Sequence, residues 1–122
     1  MTDRKRILIV EDEPVLAMLI EDMVEELGYQ PVGPAMTIEA ALALSAADAL
    51  DGAILDMNLG GGVPSTPIAE KLKSRGVPFI FATGYSSEQA SARTAGTIGD
   101  TIILRKPFSI NALSKALGLV IR

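Results

Sequence analysis

The sequence has no cysteine, no histidine and no tryptophan, and its aromatic content is three Phe and two Tyr. Without cysteine there is no disulfide, no thiolate nucleophile and no thiolate-ligated zinc. Without histidine no imidazole base acts on this chain, and any phosphohistidine in its chemistry must belong to a partner. No stretch approaches the roughly 20 apolar residues of a membrane span. The basic Asp3-Arg4-Lys5-Arg6 segment leads into only four apolar residues before Glu11 and Asp12, too short for a signal-peptide core. A cytoplasmic protein with no membrane partner is therefore expected. Positive charge is also scarce, with 11 Lys and Arg against 15 Asp and Glu, so no nucleic-acid partner is expected. The P-loop Gly-Lys-Ser/Thr signature is missing, and no Gly-x-Gly-x-x-Gly follows the first apolar run, which leaves no indication of a nucleotide cofactor.

What the chain does have is 48% hydrophobic residues in a length of 122, enough for one domain, residues 1–122, with a real core. Short aliphatic runs alternate with longer stretches of helical period, the pattern of five βα units around a parallel sheet. Ile7-Leu8-Ile9-Val10 reads as a central strand covered on both faces. The helix after it carries Leu16, Leu19, Ile20, Met23, Val24 and Leu27 at three- and four-residue steps, with Pro14 in its first turn and Gly28 at its C-terminal cap. Tyr29 to Val32 is a second strand, placed at a sheet edge by Pro31, and Thr37 caps an alanine-rich helix. Ala53 to Leu55 is the third strand, Pro67 to Arg75 a helix ended by Gly76, and Pro78 to Ala82 the fourth strand. The Ser-, Ala-, Thr- and Gly-rich stretch from Ser86 to Gly99 is a weak helix, Thr101 to Leu104 the fifth strand, and Ser109 caps a last helix ending near Arg122. That helix is expected to use up the chain and leave no room for an output domain.

In an open α/β sheet the carboxyl ends of the strands form the ligand crevice. The first run ends in Glu11-Asp12, the third in Asp56, the fourth in Thr83 and the fifth in Arg105-Lys106-Pro107. Three carboxylates at one edge repel one another unless a cation lies among them, and oxygen-only ligands suit Mg²⁺. Such a set matches phosphoryl transfer to a carboxylate, with Asp56 as nucleophile, the metal and Lys106 as positive charge, and Thr83 as a hydroxyl donor. Plainer readings exist for each residue alone. Glu11 can be an ordinary solvated charge before a helix, Asp12 or Glu13 can cap the first helix beside Pro14, Asp56 can begin an Asx turn, Thr83 can be an ordinary strand residue, and Lys106 a snorkelling surface lysine. Their coincidence at strand ends favours the chemical reading.

Ile9-Val10-Glu11-Asp12-Glu13, Ile54-Leu55-Asp56-Met57-Asn58-Leu59, Ala82-Thr83-Gly84 and Lys106-Pro107-Phe108 together resemble the receiver-domain set of two-component signalling, in order and spacing across the whole chain. The resemblance implies a flavodoxin-like (βα)₅ fold, a doubly wound parallel sheet of strand order 2-1-3-4-5. It implies Mg²⁺ held by Asp12, Asp56 and the main-chain carbonyl of Asn58, with Glu11 on the metal directly or through water. It further implies that Asp56 accepts a phosphoryl group from a sensor histidine kinase, that Thr83 is drawn toward the product, and that Lys106 pairs with the phosphoryl oxygens across a Lys106–Pro107 bond that is often cis in the family. Two departures stand out. Ile103 occupies the position where the family commonly carries a switch aromatic, and Gly60-Gly61-Gly62 replaces the usual Pro-containing pattern, predicting a flexible loop over the metal site. Phe81-Ala82-Thr83-Gly84-Tyr85 resembles the subgroup named for a Phe-Ala-Thr-Gly-aromatic motif, associated with HWE-type kinases. In that subgroup Gly84 and Tyr85 are candidates to carry the signal, although a lone aromatic near a loop is as often a packing residue.

The expected function is that of a stand-alone response regulator, a signalling domain rather than an enzyme, which acts through a histidine phosphotransfer protein, another downstream protein, or as a phosphate sink. Two alternatives stand beside it. One is a receiver-like module that binds partners without phosphorylation. The other is a metal-dependent aspartyl phosphatase, disfavoured because such enzymes generally carry an Asp-x-Asp pair where this chain has Asp56-Met57-Asn58 and because no cap domain is expected.

Overall fold

The structure, a computed structural model, describes residues 4–47, 49–59, 63–84 and 102–121. Strand β1 (Arg6–Val10) leads into helix α1 (Pro14–Glu26), followed by β2 (Gln30–Ala35), α2 (Ile38–Ala47) and β3 (Gly52–Asp56). A two-residue strand β4 (Asn58–Leu59) and its partner β5 (Val63–Pro64) precede α3 (Thr66–Ser74), β6 (Phe79–Thr83), β7 (Ile102–Arg105) and α4 (Ile110–Val120). Five strands form one parallel sheet in the order β2-β1-β3-β6-β7. With the small ribbon left out of the count, this is the 2-1-3-4-5 order implied by the resemblance. The weak helix expected between Ser86 and Gly99, and Tyr85 beside it, lie outside the described residues.

Alternation along the central strands explains why both faces of the sheet are covered. Leu8, Val10, Ala53, Leu55 and Phe81 point into one core, which Ala41 of α2 and Ile68, Ala69 and Leu72 of α3 complete. Ile7, Ile9, Ile54, Ile80 and Ala82 point into the other, closed by Ile20 and Val24 of α1 and by Leu113, Ala116 and Leu117 of α4. Successive side chains of a strand face opposite ways, so a run that must serve two cores is apolar throughout. The caps read from the sequence are present. Thr37 Oγ1 accepts from the Ala40 N–H at 3.1 Å and Ser109 Oγ from the Ala112 N–H at 3.1 Å, while Gly28 takes a positive φ of 92° after α1.

Several boundaries differ from expectation. β2 runs through Ala35 instead of stopping near Val32, because Gly33 at φ 96° carries the chain through a register shift against β1 and lets the Ala35 carbonyl accept from the Glu11 N–H at 3.0 Å. Pro34 follows through a cis peptide bond, and β2 does lie at the sheet edge, as Pro31 predicts. Helix α3 and the strands β6 and β7 are displaced by about one residue from the predicted limits, which brings Thr83 and Arg105 into the ladder as partners. The glycines Gly60, Gly61 and Gly62, where a flexible loop is predicted, lie outside the described residues, and the residues on either side of them form the antiparallel β4–β5 ribbon, which was not expected, with Leu59 buried beside Met57. A two-residue ladder carries too little periodicity to read from sequence.

Candidate phosphoacceptor and metal site

Each expected residue reaches the carboxyl edge of the sheet because the strand before it is fixed by its neighbours. Glu11 follows β1 and is 1% exposed, a position that a carboxylate holds only when its oxygens are paired. Its Oε1 lies 2.7 Å from Lys106 Nζ, and its Oε2 accepts from the Glu13 N–H at 3.1 Å. Asp56 ends β3, is 8% exposed, and places Oδ1 3.1 Å from the same Lys106 Nζ. Lys106 is itself anchored beyond β7, where its N–H donates to the Thr83 carbonyl at 2.7 Å, and the Lys106–Pro107 bond is cis. One ammonium therefore bridges two buried carboxylates.

The electrostatics follow from that arrangement. Burial is the largest influence on Asp56 and raises its pKa from 3.8 to about 7, with the neighbouring Glu11 adding to the rise and Lys106 opposing it. For Lys106 burial pulls downward, but the hydrogen bond to Glu11 and the charges of Asp56 and Glu11 outweigh it and the net shift is upward. Among the described residues, Glu11, Asp12 and Asp56 can each offer an oxygen within 4.8 Å of the others. Three carboxylates against one lysine leave an excess of negative charge among hard oxygen donors, so this donor set fits a divalent cation of the Mg²⁺ type. Asp12 is half-buried at the mouth of the group.

These residues line an open cleft of about 460 Å³ that also takes in Asn58, Thr83 and Gly84. Thr83, the last residue of β6, is 2% exposed. Ile103 sits in mid-β7 opposite Phe81 and packs against the α2–α3 core, so an aliphatic side chain occupies the position of the family's usual aromatic. Some of the plainer readings also hold. Glu13 caps α1 by accepting from the Val15 N–H at 3.3 Å, and Asp56 Oδ1 accepts from the Asn58 N–H at 3.4 Å in the manner of an Asx turn. A turn contact at one carboxylate oxygen does not conflict with a chemical role. Two participants were not legible in the sequence. The Ala35 carbonyl fixes the Glu11 backbone from β2, and Ser65 grips the Met57 carbonyl with both its N–H (3.0 Å) and its hydroxyl (3.1 Å). Ser65 before Thr66-Pro67 carries only the signal of a helix cap.

Comparison with known proteins agrees with this geometry. Residues 7–118 match the family described as the response regulator receiver domain. The solution structure of SdrG from Sphingomonas melonis Fr1 is 46% identical, covers 97% of both chains and superposes with a TM-score of 0.81. A BeF₃-activated conformation of SdrG, from Pseudomonas melonis Fr1, gives 0.78 at the same identity and coverage. The phyllosphere-induced regulator PhyR of Methylorubrum extorquens is 40% identical over 81 residues, which is 65% of this chain and 30% of the relative. The transcriptional regulatory protein PdtaR of Mycobacterium tuberculosis is 31% identical over 117 residues, 96% of this chain and 57% of the relative. The chain thus spans about a third to somewhat over half the length of these two regulators. It belongs to the response regulator receiver family and has the α/β flavodoxin-like fold of that family.

Proposed function

We propose that this chain, as a single receiver domain over residues 1–122, accepts a phosphoryl group on Asp56 from the phosphohistidine of a sensor kinase and changes its affinity for other proteins in consequence. The observation that carries this reading is the convergence of Lys106 Nζ on Asp56 Oδ1 and Glu11 Oε1 in a cleft open to a donor. Asp56 attacks phosphorus with a carboxylate oxygen, the new O–P bond forms as the P–N bond of the donor breaks, and the imidazole leaves with that electron pair. Asp12, Asp56 and the Asn58 carbonyl would hold Mg²⁺, with Glu11 beside it, and the bound ion would offset charge on the phosphoryl oxygens. Lys106 donates to an oxygen of the acyl phosphate once Asp56 no longer occupies it as a free carboxylate. Thr83 donates its hydroxyl to a second oxygen, and Asn58 in the cleft wall, together with Tyr85, limits attack by water. Phosphorylation of Asp56 biases Gly84, β7 with its Ile103, and Pro107 just beyond that strand between two arrangements.

The reading is supported by the existence of a BeF₃-activated form of the similar protein SdrG. Partners are a sensor kinase of the HWE type and a downstream phosphotransfer or target protein, with no nucleic acid. Among the described residues no helix is long and apolar enough to cross a membrane, and a cytoplasmic location is part of the proposal. The test is phosphotransfer from a purified HWE-type kinase autophosphorylated with radiolabelled ATP. Label should move to the wild-type chain in the presence of Mg²⁺ and not to Asp56→Asn. Equal labelling of the two proteins would refute Asp56 as the acceptor.

A further inference from the structure

The end of α3 nearest the cleft has an unusual cap. Ser65 is its N-cap residue, yet its side chain makes no capping hydrogen bond. Instead the Ser65 hydroxyl and N–H both donate to the Met57 carbonyl, at 3.1 and 3.0 Å, from a fully buried position. A carbonyl oxygen has two lone pairs and accepts both. On its other side Met57 is held by β6, since its N–H donates to the Ala82 carbonyl at 2.9 Å. Both peptide planes flanking Met57 are thereby pinned.

The consequence lies one bond further on. The Met57–Asn58 peptide is trans, so its C=O and N–H point in opposite directions. Fixing the carbonyl on Ser65 turns the Asn58 N–H away from α3 and toward Asp56 Oδ1, which it reaches at 3.4 Å. That oxygen is the one Lys106 also approaches. Ser65 is in turn part of the first turn of α3, where its carbonyl accepts from the Ile68 and Ala69 N–H groups at 3.0 and 3.2 Å. A donor held in advance on one carboxylate oxygen fixes the rotation of the Asp56 carboxyl group, and a nucleophile already held in one orientation loses less freedom on the way to the transition state.

We infer that Ser65 is a positioning residue that aims the Asn58 N–H at the Asp56 carboxylate by gripping the Met57 carbonyl. The inference rests on Asp56 being the phosphoacceptor. It is tested with the full chain, Mg²⁺ and acetyl phosphate, by comparing wild type with Ser65→Ala and Ser65→Thr while following the Asn58 amide proton by NMR. Ser65→Ala should phosphorylate about fivefold more slowly, the effect of roughly one hydrogen bond, and the Asn58 amide resonance should shift. Ser65→Thr, which keeps the hydroxyl, should return the rate to within about twofold of wild type. Should Ser65→Ala not fold, Ser65→Cys keeps nearly the same volume with a weaker donor, and an intermediate rate with a shifted Asn58 amide is expected. A wild-type rate with an unmoved Asn58 amide in Ser65→Ala or Ser65→Cys overturns the inference, as does a folded Ser65→Thr no faster than Ser65→Ala. A wild-type chain that takes no phosphoryl group overturns the functional reading instead.

Discussion

Asp56 combines two demands that oppose each other. In the proposed role of nucleophile it must be ionised, yet burial raises its pKa to about 7, with Glu11 adding to the rise and Lys106 only partly compensating. In the unfolded chain the same carboxyl titrates near its ordinary value of 3.8. A folded pKa above the unfolded one favours the folded state at low pH. Between about pH 4 and pH 7 the unfolded chain gives up this proton while the folded chain retains it, so stability falls across that window and levels off above it. Without divalent cations, the urea midpoint of wild type should therefore drop from pH 5 to pH 8 more steeply than that of Asp56→Asn. The difference should be on the order of a few kcal/mol at most, and parallel profiles would contradict this account of the site. The identities of Glu11, Asp12, Asp56, Thr83 and Lys106 were legible because each follows an apolar run, and strand direction then brings them to one edge. The bridge from Lys106 to two carboxylates was not, since contact between residues 95 positions apart depends on how far each side chain reaches.

The elements that carry strong periodicity were equally legible. β1, α1, β3 and α4 announce themselves by continuous apolar runs or by steps of three and four, because two cores must be filled from one sheet. The ends of β2 and the β4–β5 ribbon were not, because local backbone geometry and not side-chain pattern decides them. Gly33 shows why. A Cβ there would lie 2.7 Å from the Ala35 nitrogen and 3.1 Å from the Ile9 carbonyl oxygen, at a φ that L side chains rarely adopt. Gly33→Ala is expected to cost about 1–3 kcal/mol, read as a lower thermal or urea midpoint. Because Gly33 delivers the Ala35 carbonyl to the Glu11 N–H, the same variant should also slow phosphorylation. Unchanged stability would show that β2 can pass β1 without this turn.

At the scale of the whole molecule, the sheet divides the described residues into two cores and leaves its carboxyl edge to the polar groups that neither core can hold. Among the described residues no buried side-chain nitrogen or oxygen lacks a hydrogen-bond partner, so the cleft is built into the packing and not tolerated by it. That edge is where Glu11, Asp12, Asp56, Asn58, Thr83, Gly84 and Lys106 meet, and the central claim is that its purpose is phosphoryl capture on Asp56. The most direct measurement is the intact mass of the protein after incubation with acetyl phosphate, with and without Mg²⁺, beside Asp56→Asn. The account predicts the gain of one phosphoryl group that requires Mg²⁺ and is lost in the variant. A wild-type mass that stays unchanged with Mg²⁺ present, or a gain that persists in Asp56→Asn, would contradict it.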